Sequence, residues 1–202
     1  MNKEIGGKLI ALEGPDGCGK STQAKLLSEW LESEGYDVKI TREPTENPTG
    51  KVLRDSLRGK IELPVEAEAL LFACDRAVHV SEVIRPGLSE GKIIITERYI
   101  HSSLAYQTSR GLSRKWVEEI NKSAIDPDFT IFIDVPPRVG FKRVGASRKA
   151  DVFEQDLELQ KKVRESYKKL AEEENSPIID GTKPPKKVHE KVKNEINPFL
   201  HT

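Results

Sequence analysis

Gly14-Pro15-Asp16-Gly17-Cys18-Gly19-Lys20-Ser21 carries the most explicit chemistry in this sequence. The spacing G-x-x-x-x-G-K-[ST] is that of a phosphate-binding loop: glycines let the backbone curl with its N–H groups inward. Lys20 adds a mobile positive charge, and Ser21 offers a hydroxyl to a magnesium ion. The helix that starts here, with Thr22 in its first turn, directs its positive end at the anion. A glycine-rich surface turn is the alternative, but it would not need a buried strand before it (Leu9 to Leu12) and an apolar helical stripe after it (Ala24, Leu26, Leu27, Trp30, Leu31). The loop alone names no reaction.

Other residues could act with it. Glu97 and Arg98 end the apolar run KIIITE, so a carboxylate and a guanidinium stand at the tip of a central strand. There they can hold a metal or its water shell and neutralise a transferring phosphoryl group, unless they form a surface ion pair. Arg42 ends the run YDVKIT, and Arg54 lies on the short helical stretch KVLRDSLRG that also carries Arg58. Phe72 and Arg76 share one face of the helical stretch 65–84. An aromatic ring one turn from an arginine can take a flat polar ring, or it can be an exposed Phe or a subunit contact. Lys142, Arg143, Arg148 and Lys149 surround small residues in FKRVGASRKAD, a pattern for a mobile lid over polyphosphate or for a solvated surface. Cys18 reads equally as a reactive thiol near a helix N-terminus or as an inert packed one.

Composition narrows the classes. Across 202 residues, Lys plus Arg and Asp plus Glu are 33 each, so no global field recruits nucleic acid and phosphate affinity must be local. The length fits one well-buried α/β domain. Two cysteines placed in a loop and a helix argue against a structural disulfide, and no apolar run reaches membrane-spanning length, so a cytoplasmic protein is expected.

Five strands alternate with helices: KLIALE, YDVKIT, KIIITE, FTIFIDVP and a short strand at Ser176–Gly181. That alternation predicts a doubly wound α/β fold with a parallel sheet. Its ligands bind at the carboxyl ends of the strands, where the loop, Arg42 and Glu97-Arg98 all fall. At 100° per residue, Leu70, Leu71, Ala73, Cys74, Ala77 and Val78 of the third helix cluster on a side expected to face the core. Phe72 and Arg76 then point the other way, among Glu68, Asp75 and His79. A polar helix is expected from Ser113 to Ala124, an amphipathic one after Phe153 and a last one from Pro185 to Ile196.

With the loop LEGPDGCGKSTQ, the segment TREP, LLFACDRAVH, the ERY tripeptide followed by SSLAYQ, and the arginine-bearing lid, the chain resembles the thymidylate kinases, a group of nucleoside monophosphate kinases, from about Lys8 to Ile196. The resemblance implies a P-loop NTPase fold, with a five-stranded parallel sheet flanked by helices and a mobile lid. It implies one kinase domain over 1–202, with the P-loop at 14–21, an acceptor-binding helix at 65–84 and the lid at about 142–152. The implied reaction is transfer of the ATP γ-phosphoryl group to dTMP with Mg2+, giving dTDP and ADP, by a homodimer that binds neither nucleic acid nor membrane.

In that resemblance, residues 14–22 (Gly14, Pro15, Asp16, Gly17, Cys18, Gly19, Lys20, Ser21, Thr22) hold the ATP phosphates, and Ser21 and Glu97 serve the metal. Asp16 also meets the sugar 3′-hydroxyl of the acceptor. Phe72 stacks on thymine and Arg76 bonds to it, Tyr106 crowds the sugar 2′ position, and Ser103 and Gln107 line the base pocket. Arg42 or Arg54 holds the acceptor phosphate. Lys20, Arg98 and a lid arginine, Arg143 or Arg148, neutralise the transfer, since Pro15 to Cys18 contains no basic residue. The chain departs from the family pattern in having Glu97 for the usual aspartate, Val152 for an arginine after the lid aspartate, and TENPTG in place of a glycine pair. Two alternatives stay open: a kinase for another (deoxy)nucleoside monophosphate such as dUMP, or a nucleotide switch without acceptor kinase activity. The switch would want Asn-Lys-x-Asp for guanine, and Asn121-Lys122-Ser123-Ala124 lacks the acid.

Overall fold

Leu9 to Leu12 and Ile93 to Ile95 are unbroken apolar runs because helices cover both faces of the sheet they build. The protein is described here from a computed structural model covering residues 6–147, 151, 153 and 156–200. Strands β1 (Lys8–Glu13), β2 (Val38–Arg42), β3 (Ile93–Glu97), β4 (Phe129–Asp134) and β5 (Ile178–Asp180) form one parallel sheet in the order β2-β3-β1-β4-β5. Ile10 and Leu12 pack on one face with Leu27 and Leu31 of α1 (Lys20–Ser33) and Val188 and Val192 of α9 (Pro185–Phe199). Leu9 and Ala11 pack on the other with Ile84, Ile94 and Tyr99. Among the described residues, no helix is long and apolar enough to cross a membrane.

The chain leaves β1 toward β2 on one side and later crosses from β3 to β4 on the other, so its direction reverses around β1. The crevice at such a reversal lies outside the strands' carboxyl ends. Residues 14–19 follow β1 there and Arg98 follows β3.

The remaining helices are α2 (Pro48–Leu57), α3 (Val65–His79), a π-helical turn (Val80–Ile84), α4 (Arg85–Ser89), α5 (Ile100–Ser109), α6 (Arg114–Ile120), α7 (Pro137–Ser147) and α8 (Leu157–Glu173). Helix α5 is not announced by any local cap, because its cap is remote. Glu13 Oε1 accepts from the backbone N–H groups of Tyr99 (2.7 Å) and Ser102 (3.1 Å), and Glu13 Oε2 from the Ser102 hydroxyl (2.7 Å). A carboxylate is favourable at a helix N-terminus. Residues 142–147 of the expected lid complete α7; Arg148, Lys149 and Val152 lie outside the described residues.

Helix α3 is turned over relative to its periodicity. The expected inward residues include Leu70, which is 49% exposed, and Cys74, which is exposed too, whereas Glu68, Asp75, Arg76 and His79 are buried beside Ala69 and Ala73. Pairing explains the inversion, since a buried charge is tolerated only when its partners are in place. Asp75 accepts from Thr45 N (2.8 Å), Thr45 Oγ1 (2.6 Å) and Thr49 Oγ1 (2.8 Å). Glu68 pairs with Arg110, and Arg76 and His79 both reach Glu43.

Residues 14–19 are seated by backbone contact with α7. A Cβ on Gly17, which has φ of 71°, would lie 2.3 Å from the Gly140 carbonyl oxygen, and a Cβ on Gly140 would lie 2.2 Å from that of Asp16. Neither backbone can yield without moving the loop. Gly140→Ala is therefore expected to cost about 1–3 kcal/mol, as overpacking does. In a chain of this size that is a fall in Tm of roughly 2–4 °C per kcal/mol. Thermal denaturation followed by circular dichroism checks this, and an unchanged Tm would contradict the packing.

Candidate active site

A cleft of about 1290 Å³ runs along the carboxyl ends of β1, β2 and β3. Residues 16–23, Arg42, Arg54, Arg58, Glu97, Arg98 and Arg143 line it. A smaller pocket of about 70 Å³ adjoins it, walled by Phe72, Arg76, Ser103, Tyr106, Gln107 and Phe153. Asp16, Glu43, Pro44 and Arg98 border both, so the two spaces meet at these residues.

At the loop, Gly14 has φ of 141°, and a Cβ there would strike the Ile133 carbonyl oxygen at 2.2 Å. Only glycine fits. The Lys20 ammonium donates to the carbonyl oxygens of Gly14 (2.8 Å) and Pro15 (3.0 Å) and approaches Cys18 Sγ at 3.6 Å. Cys18 is itself 2% exposed and packed in the core, the inert alternative of its two readings. Ser21 Oγ donates to Glu97 Oε2 at 2.5 Å, which brings together the two oxygen donors expected at the metal. Hard oxygen ligands few in number suit Mg2+, which keeps water and phosphate oxygens in its shell. The extra methylene of Glu97 lets its carboxylate reach Ser21.

Asp16 and Arg98 form the junction of the two spaces. Arg98 follows β3 with φ of 64° and places its guanidinium against Asp16 Oδ1. Tyr106 donates its hydroxyl to Asp16 Oδ2 at 2.6 Å, and Gln160 Nε2 reaches the same oxygen at 3.2 Å. Burial alone would raise the Asp16 carboxyl, but Arg98, Lys20 and the bonds from Tyr106 and Gln160 outweigh it and hold it below its ordinary value. Burial, then the Asp16 charge, push the Tyr106 hydroxyl well above its ordinary range, so it stays a donor. Arg98 also donates to Ser102 Oγ (3.1 Å) and Tyr167 OH (3.3 Å), both of which bond to the buried Glu13.

In the smaller pocket, all five N–H groups of Arg76 are already engaged. Nε and Nη2 donate to Glu43 Oε2 (3.0 and 2.6 Å), Nη2 to Tyr99 O (2.9 Å), and Nη1 to Ser103 Oγ (2.9 Å) and Asn121 Oδ1. Ser103 accepts from Arg76, so its own O–H is left to donate. Gln107 is 2% exposed, and its Oε1 is buried with no hydrogen-bond partner among the described residues. Phe72 is half-buried at the pocket wall.

Arg42 and Arg54 converge on Glu46, at 2.6 and 3.0 Å. Arg54 also donates to the Thr45 carbonyl, and Arg143 to the carbonyls of Gly181 (2.9 Å) and Gly17 (3.3 Å). Arg148 lies outside the described residues.

Several contributors escape a reading of the sequence. Glu13, Gln160 and Tyr167 act through contacts more than 80 residues apart in sequence or from within what reads as an ordinary amphipathic helix. Phe153 stacks on Tyr106 (5.8 Å between ring centroids), and the Arg110 guanidinium lies over the Phe153 ring (4.6 Å). Its only sequence signal is helical spacing, which points to a core residue.

Comparison with known proteins shows which family the chain is similar to. Residues 12–192 match the family described as Thymidylate kinase. A probable thymidylate kinase of Thermococcus kodakarensis is 47% identical over 171 residues, which is 81% of this chain and 83% of that protein. A probable thymidylate kinase of Pyrococcus abyssi is 46% identical over 192 residues, or 92% and 94% of the two chains. A thymidylate kinase of Caldanaerobacter subterraneus subsp. tengcongensis is 42% identical over 203 residues, or 96% and 97%.

A depressed native carboxyl contributes stability above its unfolded value of 3.8, and that contribution is lost as pH falls through and below this value. Lowering the pH from about 5 to about 2 is therefore expected to reduce Tm more steeply in the native protein than in Asp16→Asn. Parallel slopes in a pH series of melting curves would show that Asp16 gains nothing from its partners.

Proposed function

Because this chain belongs to the thymidylate kinase family, it transfers the γ-phosphoryl group of ATP to dTMP to give dTDP and ADP, and we propose that the cleft and its side pocket carry out that transfer. The observation that carries the assignment of roles is the unpartnered, buried Gln107 Oε1 beside Phe72. An acceptor held dry without a donor is costly, and thymine presents one, its N3–H, where cytosine has none. Phe72 supplies the stacking face. Ser103, held as an acceptor by Arg76, turns its O–H toward a pyrimidine carbonyl, so Arg76 serves the base through Ser103 instead of touching it first. Asp16 accepts the sugar 3′-hydroxyl at the lone pair its three donors leave, and Tyr106 fills the space a 2′-hydroxyl would need.

Phosphoryl transfer leaves the protein mainly placement and charge neutralisation. The loop and helix start at residues 14–22, through their backbone N–H groups other than at Pro15, and Lys20 take the donor phosphates; Lys20 exchanges the Gly14 and Pro15 carbonyls for stronger, charged acceptors. Ser21 and Glu97 would hold Mg2+, which would add neutralising charge to the triphosphate. Arg42 and Arg54 receive the acceptor phosphate, and Arg98 stands between the two phosphate positions. Arg143, or Arg148 beyond it, supplies the lid charge; Arg143 would exchange two carbonyls for phosphate oxygens. One kinase domain with its lid at about 142–152 and a cytoplasmic location, in keeping with two free thiols, complete the reading. The balanced charge gives no general attraction for nucleic acid or an anionic membrane.

For assembly we propose the homodimer, joined through the outward face of α3. Leu70 and Cys74 are exposed there, with Leu71, Ala77 and Val78 half-buried alongside. A contiguous apolar helix face at the surface marks an interaction site.

Two measurements test this reading. In a coupled assay with ATP and magnesium, dTMP is expected to turn over faster than dUMP, CMP or AMP. Phe72→Ala and Gln107→Leu should each raise the dTMP KM about tenfold or more with the ATP KM little changed, since a buried polar contact discriminates strongly. Faster turnover of another monophosphate, or an unmoved dTMP KM, would overturn the assignment. Leu70→Glu is expected to yield a monomer by light scattering where the native protein gives a dimer. A dimer that survives the substitution would place the contact on another face.

A further inference from the structure

Glu46 stands in the loop between β2 and α2, where its carboxylate lies between two guanidinium groups of the cleft. Oε1 accepts from Arg42 Nη2 at 2.6 Å and Oε2 pairs with Arg54 Nη2 at 3.0 Å. Arg58, one helical turn beyond Arg54, adds its charge to the same place. The other acids around the cleft have structural partners: Asp16 has Tyr106 and Gln160, Glu43 has the buried Arg76 and His79, Glu97 has Ser21, and Asp151 accepts from the backbone N–H of Phe153. Glu46 differs in being 70% exposed and in having only arginines as its ionic partners among the described residues. It contributes no packing that the fold requires. Two oxygens shared between two guanidinium groups is also the contact that a phosphate makes.

We propose that Glu46 is an internal occupant of the acceptor-phosphate subsite, which holds Arg42 and Arg54 in place and is displaced by the phosphate of the incoming nucleotide. This rests on the reading that Arg42 and Arg54 receive that phosphate. The Arg42 hydrogen bond and the Arg54 charge keep the Glu46 carboxyl below its ordinary value. Protonation therefore does not release it near neutral pH; exchange with another anion does. A phosphate dianion has the stronger Coulomb attraction to the same arginines and wins the exchange. Glu46 withdraws into solvent at little cost, because its pairs are exposed ones. The occupant thus makes the subsite selective for a dianion over chloride or a monoanion, and weakens acceptor binding in doing so.

The test is steady-state kinetics of Glu46→Gln with dTMP as the varied substrate. The dTMP KM is expected to fall threefold to tenfold at low salt with kcat within about twofold, and the gain should shrink in about 0.5 M KCl, where exposed charges are screened. Inorganic phosphate, used as a competitor of dTMP, should inhibit the variant more strongly than the native protein. An unchanged or raised dTMP KM overturns the proposal; a raised one would mean that Glu46 orders the arginines without competing. Arg42→Gln and Arg54→Gln separate this from the underlying reading. If either raises the dTMP KM while Glu46→Gln does not lower it, Glu46 alone has been misassigned. If neither changes it, the arginines do not hold the acceptor phosphate and both readings fall.

Discussion

The ion pair between Asp16 and Arg98 is the contact on which the rest of the site depends. It joins the loop after β1 to the residue after β3, and its remaining donors come from Tyr106 on α5 and Gln160 on α8. Four chain segments are thereby fixed at one carboxylate. Both partners are largely withdrawn from water, so neither can be lost without leaving a charge uncompensated. Arg98 is held from beneath as well, by Ser102 and Tyr167, which lean on the buried Glu13. Since Glu13 also caps α5, the helix that carries Ser103, Tyr106 and Gln107 is oriented by the residue that precedes the phosphate loop. The loop and the smaller pocket are in this sense one construction.

Around that pair, most cations of the cleft already have acceptors. Lys20 bonds to loop carbonyls, Arg143 to the Gly17 and Gly181 carbonyls, Arg98 to Asp16, and Arg42 and Arg54 to Glu46. The partners differ in kind. Neutral carbonyls are weak acceptors for an ammonium or guanidinium and give way to phosphate readily. Asp16 is a charged acceptor held by Tyr106 and Gln160 as well, so its pair with Arg98 is the firmest of these. Such a graded set of partners keeps the positive groups aimed at the cleft and avoids the repulsion that five unpaired cations would create.

Much of this was legible in the sequence where the signal is local. The strand, loop and helix around Gly14 to Ser21 identify themselves, and the apolar runs of β1, β3 and β4 follow from burial on both faces. Glu97 and Arg98 were placed by the end of β3. The misses are non-local. Helix α5 hid because Glu13, rather than a residue just before the helix, caps it. Gln160 and Tyr167 looked like ordinary residues of an amphipathic helix. Arg76 reads in the sequence as a partner for a base, and the structure adds what no spacing shows: its donors are engaged by Glu43, Tyr99, Ser103 and Asn121. No spacing rule records how many of an arginine's donors are already taken.

The inversion of α3 shows how one requirement produces two features. A pocket for a flat, hydrogen-bonding ring needs polar side chains held rigidly at its wall, and rigidity in a dry interior requires each of them to be paired. Helix α3 meets this by turning Glu68, Asp75, Arg76 and His79 inward, each onto a partner. A helix has only so much surface, so Leu70, Cys74 and their neighbours are left on the outside. Periodicity alone reads this helix backwards because it assumes that water lies on the polar side. Here the polar side is buried because each of its charged groups finds a partner, and the apolar side is left exposed. The paired polar network and the exposed apolar residues are thus opposite faces of one helix, and the need to bury the first leaves the second outside.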